Sequence, residues 1–184
     1  MGQILGIGIV TKCGTYKEQL QKNNISIDEL IAEMKKKLHF EPAIYEVSEE
    51  DDYYMFHLKQ DIIKSQLLPF LEKFYPKVYY GKKVYYEEII EELKNSEPTT
   101  WLELADKKSW EAYQLDKYAM RDYLYFDKPF KPYTEIFYTT ILLSHEGKIG
   151  MEVHGRQFNF FKYCIQKTFS KFQIAKALRV YISG

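Results

Sequence analysis

The sequence is short of nearly everything that announces a chemical activity. It has 2 cysteines, Cys13 and Cys164, far apart and without CxxC spacing. That excludes a zinc ribbon or a redox pair and points to free thiols in a reducing compartment. Its 4 histidines are His39, His57, His145 and His154. Only the last two are neighbours in the chain, and neither stands at a known ligand spacing to another donor, so no metal is expected. No GxSxG occurs. Glycines 6, 8 and 14 in GIGIVTKCG fit neither GxGxxG nor a phosphate loop ending in GKS or GKT. Gly6 and Gly8 are instead expected to let a helix or an aromatic side chain lie close on a sheet. No cofactor is implied.

Net charge is missing too. The 26 basic residues match the 26 acidic ones, so no global field draws in DNA, RNA or an anionic membrane. Lys162, Lys167 and Lys171, with Phe160 and Tyr163 nearby, do not make the tight basic stripe that nucleic-acid binding requires. Long apolar runs are also lacking. Ile4 to Val10 is too short for a signal sequence or a membrane span, and Gly6 stands where a myristoylation motif needs Ser or Thr. The expectation is a soluble cytoplasmic protein.

What is abundant is aromatic, chiefly 17 Tyr beside 12 Phe in 184 residues. Tyr combines apolar area with a polar tip and suits half-buried positions and contact surfaces. Acid clusters at Glu46, Glu49, Glu50, Asp51 and Asp52, and again at Glu87, Glu88, Glu91 and Glu92. After Glu152 every charge is basic.

Residues 3–12 read as a strand with Leu5, Ile7 and Ile9 on one face. Residues 14–25 read as a polar loop. Ser26 opens a helix with a Ser26/Glu29 capping box and an Ile27, Leu30, Ile31, Met34, Leu38 stripe. His39 is expected to end it, and Pro42 breaks the pattern. AIYEV and YYMFHL read as strands joined at SEEDD, with His57 a core or edge residue of the second. Residues 61–75 read as a helix that Pro69 should kink or break. Helices follow at about 85–95 and from Thr99 or Thr100. Residues 109–133 show no stable period, and PFKP within them reads as a Pro-ordered loop. Residues 134–144 form the clearest strand, apolar on both faces and so expected to be central. KIGMEVH is its expected hairpin partner, followed by a helix over about 156–171 and a last strand, ALRVYIS.

This pattern predicts one α+β domain over residues 1–184, built on one mostly antiparallel sheet. The order is β-α-β-β, several helices, then β-β-α-β. Two places could carry function. The first is the hairpin, with a turn at His145-Glu146-Gly147 and Gly147 left-handed. That register puts Ile149, Met151 and Val153 inward. Glu152 and His154 then lie outward on one face, with Tyr138 opposite His154, and Arg156 stands at the next helix start. As an enzyme, the chain would use Glu152, His154 and Tyr138 for acid–base work and Arg156 for an anion. The second is Tyr45, Glu46, Glu49, Glu50, Asp51, Asp52, Tyr53 and Tyr54, which could steer and anchor a basic protein partner. With catalytic motifs missing, the profile is that of a non-enzymatic bacterial protein-binding domain. Immunity proteins that neutralise a toxin or effector by direct binding are of this kind.

Overall fold

In the computed structural model, residues 4–74, 83–113, 121–147 and 163–183 are described. The elements run β1 (Ile4–Tyr16), α1 (Lys17–Lys22), α2 (Ile27–Leu38), β2 (Tyr45–Glu49), β3 (Tyr53–Leu58), α3 (Gln60–Phe74), α4 (Lys83–Lys94), α5 (Trp101–Tyr113), β4 (Arg121–Tyr125), β5 (Tyr133–Gly147), α6 (163–168) and β6 (Leu178–Ser183). The chain is α+β, with one six-stranded sheet in the order β2-β3-β1-β5-β4 and β6 also on β1. Each of these pairings is antiparallel.

The sheet is organised around β1. One of its edges pairs with β5 from Leu5 to Gly14. Its remaining pairing is divided: Ile4–Ile9 take β6 and Lys12–Tyr16 take β3. A single strand of 13 residues thus holds three neighbours. Between Val10 and Lys12 the register with β5 shifts. Such a bulge removes main-chain partners, which other groups must replace. Here the Thr11 hydroxyl donates to the Thr139 carbonyl at 3.1 Å, and the Tyr45 hydroxyl donates to the Val10 carbonyl at 2.9 Å.

Local signals worked where the partners are local. The Ser26 hydroxyl accepts from the Glu29 amide at 3.2 Å, and the Glu29 carboxylate accepts from the Ser26 amide at 2.9 Å. His39 ends α2 in the left-handed region at φ 52°. Leu30 and Met34 are buried from its apolar stripe.

Three expectations are corrected. Residues 14–25 are not a loop: β1 continues to Tyr16 and α1 follows at once. Sheet pairing of Gly14–Tyr16 with β3 overrides the polar composition. Pro69 lies inside an unbroken α3, whose buried Ile62, Ile63, Leu67, Phe70, Leu71 and Phe74 continue on both sides of it. His145–Gly147 are not a turn. β5 runs through Gly147, which pairs with Leu5, and no described glycine has positive φ. Long-range pairing with β1 satisfies this backbone and overrides a local turn preference. KIGMEVH and the expected helix start at 156 lie outside the described residues.

Alternation along the strands defines two faces. The back face carries Cys13, Thr15, Phe56, Leu58, Ile136 and Tyr138, all buried or nearly so. Met34, Leu38 and Phe40 of α2 and its exit meet Tyr45 and Tyr138 there, and Phe40 stacks on Tyr45 at 4.7 Å between ring centres. The front face carries Lys12, Gly14 and Tyr16 from β1, Tyr53, Met55 and His57 from β3, and Phe137 and Thr139 from β5. α5 covers it only in part.

Candidate functional site

Between the front face and α5 lies a groove of about 740 Å³. Cross-strand register places its floor in rows. Thr139, Lys12, His57 and Glu46 form one row, each paired with the next. Arg121, Phe137, Gly14, Met55 and Ser48 form the row beside it. Tyr16 pairs with Tyr53 one step further along. Leu102, Glu103 and Asp106 of α5 supply the opposite wall, and Glu50, Gln60 and Thr99 also line the groove.

Gly14 shapes this floor. A Cβ there would collide with the Met55 sulfur and the Phe137 ring. Its absence lets these side chains fold over the strand, so the close approach expected of a β1 glycine occurs at position 14. At Gly8 a Cβ would instead meet the Ile141 carbonyl and Thr140 of the neighbouring strand at 3.2 Å. Tyr16, Tyr53 and Phe137 make a three-ring cluster with centroids 5.2–5.7 Å apart.

The charges in the groove are unequally engaged. Arg121 is ion-paired to Glu135. The carboxylate and its hydrogen bond hold the guanidinium pKa up. The His57 Nε2 lies 3.1 Å from the Ser48 hydroxyl and 3.6 Å from Glu50. Lys12, half-buried on the floor, makes no ion pair or hydrogen bond with its side chain among the described residues.

The residues proposed from the sequence are distributed differently. Glu152, His154 and Arg156 lie outside the described residues. Tyr138, expected on an outward face, is buried on the back face. Its hydroxyl donates to Asp122 at 2.8 Å, Arg179 donates to the other Asp122 oxygen at 2.9 Å, and the guanidinium lies 4.4 Å from the Tyr138 ring centre. Burial, then the Asp122 charge, push the Tyr138 phenol well above its ordinary pKa. On the other side of β5, Phe137 and Thr139 line the groove and are half-buried, so the polar tip of Tyr138 did not mark the outward face.

In the acidic segment, Tyr45 is buried and belongs to the core. Glu46, Glu49, Glu50, Asp51 and Asp52 are exposed on the β2–β3 hairpin. Glu49 pairs with Lys17 at 2.8 Å, and Lys17 also sits 5.6 Å from the Tyr54 ring centre. Tyr53 and Glu50 turn into the groove, while Tyr54 faces the other way. Lys12, His57 and Arg121 were missed as a group. They are scattered along the chain, and only the pairing of β1, β3, β5 and β4 brings them to one face.

A second surface feature stands apart. Tyr123, Tyr125 and Tyr133 are exposed on β4 and β5, and Phe130 projects fully into solvent. Phe130 and Lys131 both have positive φ, 65° and 42°, a conformation that costs of order 1–3 kcal/mol per residue. The turn is pinned on either side. Asp127 accepts from Lys36 at 2.8 Å and Lys37 at 2.9 Å, Lys128 pairs with Glu29 at 2.8 Å, and Phe126 is buried.

Among the described residues no cluster of His, Cys, Asp or Glu could hold a metal ion, and no helix is long and apolar enough to cross a membrane. No family model, curated protein or solved structure matches the chain.

Proposed function

We propose that the chain is a non-enzymatic protein-binding domain, of the kind bacteria use to neutralise a toxin or effector by direct occupation, acting in the cytoplasm. The observation that carries this reading is the β2–β3 hairpin. Its Glu46, Glu50, Asp51 and Asp52 are exposed and none forms an ion pair with Lys or Arg among the described residues, although His57 lies near Glu50 and the Lys17 charge is felt by Asp51. Clustered acid on a short connection raises the encounter rate with a basic surface. Tyr53, half-buried beside it, offers an aromatic anchor. Tyr45, being internal, contributes only by holding the hairpin root.

The partner recovered from the native host should bind the wild-type chain stoichiometrically. It should be lost when Glu46, Glu50, Asp51 and Asp52 are all changed to Lys, and its association should slow as salt rises. A stoichiometric partner that the four-Lys variant keeps, or no partner at all, counts against the reading.

A second reading, a small-ligand protein or enzyme, is favoured by the groove. Its volume falls in the ~300–1,000 Å³ range of ligand sites, with polar groups converging on an apolar wall. The residues for it are those lining the groove, with Lys12, His57, Glu50, Glu103 and Asp106 among its ionisable side chains. Turnover of any substrate by the purified chain would favour it over the binding reading.

A further inference from the structure

We infer that the front-face groove is a binding site for a small organic acid carrying one negative charge and an apolar, ring-sized body. This goes beyond the partner reading, since it concerns the groove floor and not the hairpin tip. Four observations carry it. Lys12 is a half-buried cation on the floor of a cavity of about 740 Å³, with no ion-pair partner among the described residues. A cation withdrawn from water in a concave site gains most from an anion that fills it. Its row neighbours, His57 and Thr139, add groups that can donate hydrogen bonds to that anion. Tyr16, Tyr53, Met55, Phe137 and Leu102 supply an apolar bed beside it.

The remaining charges set the limit on ligand charge. Glu50 beside His57, Glu103 and Asp106 on the α5 side, and Arg121 already paired with Glu135 make the lining acidic overall, with Lys12 its cation without an ion-pair partner among the described residues. One carboxylate is matched by Lys12. A second negative group would meet Glu103, Asp106 or Glu50 and be repelled.

The test is calorimetric and NMR titration of the full chain with phenylacetate, with phenylsuccinate as the dianion, benzyl alcohol as the neutral analogue and phenethylamine as the cation. Phenylacetate should bind best and shift the amides of Lys12, Tyr53 and Phe137. Lys12→Met should weaken it about tenfold or more, while Lys12→Arg should keep most of the affinity. Leu102→Trp, which fills the groove from α5 and leaves Lys12 intact, should block all four probes. If phenethylamine binds more tightly than phenylacetate, if Lys12→Met binds as well as wild type, or if no probe binds, the inference fails. Because the hairpin acids are untouched, each result is independent of whether the four-Lys variant loses a protein partner.

Discussion

The two faces of the sheet handle their polar groups in opposite ways. On the back face each polar side chain discussed has found a partner. Thr134 donates to Gln19 at 2.8 Å and so accepts from Thr15 at 2.6 Å, in a pair that is itself buried. Tyr45 donates to a main-chain carbonyl, and Asp122 binds both Tyr138 and Arg179. Polar groups arranged like this are structural: they are satisfied, so nothing else need bind them. On the front face Lys12 is left without a partner among the described residues, over a floor that α5 only partly covers. Tyr138 looked chemical in the sequence and is structural. Lys12 drew no reading from the sequence and lines the cavity.

The contrast can be broken by mutation. The largest loss is expected from the back-face core. Phe56→Ala removes a ring with no solvent exposure that meets Phe40 edge-on, and should lower stability in urea by about 3–5 kcal/mol. A loss below that of an ordinary surface change would mean that face is not close-packed. Asp122→Ala comes next. It removes the carboxylate that both the Arg179 guanidinium and the Tyr138 hydroxyl bind, and because Asp122 is partly exposed the cost should be about 1–3 kcal/mol. If Tyr138→Phe and Asp122→Ala then add without coupling in a double-mutant cycle, the two do not act as one network.

A smaller effect tests the pinned turn. Hydrogen bonds and charge from Lys36, then Lys37, hold the Asp127 carboxyl at about 2. A carboxylate whose folded value lies below its unfolded one adds stability above the unfolded value, ~4, and loses it as pH falls through about 2. Wild type should therefore exceed Asp127→Asn in urea midpoint at neutral pH, and the two should converge between pH 4 and 2. A difference that persists at pH 2 would show that the contact is not ionic. The smallest change belongs to the front face: Lys12→Met should alter stability by no more than about 0.5 kcal/mol. A large loss would make Lys12 a structural residue and return the two faces to the same kind.

Secondary structure was legible in the sequence wherever its causes are local. The Ser26–Glu29 box, the α2 stripe, the His39 stop and the strand from 134 follow from neighbours within a few residues. What failed involved partners far along the chain. Residues 14–16 became strand because β3 and β5 pair with them, and 145–147 stayed strand because Leu5 meets Gly147. The acidic hairpin could be read as a unit, although not that Tyr45 turns inward while Tyr53 turns toward the groove. Lys12, His57 and Arg121 carried no signal at all, since no spacing links them.

By itself, then, the sequence determined the α+β class, the antiparallel sheet and the position of most elements. Hydrophobic period and capping act over one or two turns of chain, and each segment carries its own instructions. Which face of the sheet is closed, which charge goes without a partner and where a ligand could enter were decided only by tertiary structure. Those depend on β1 holding β3, β5 and β6 at once and on where α5 comes to rest, and burial and charge pairing arise between segments that no local pattern connects.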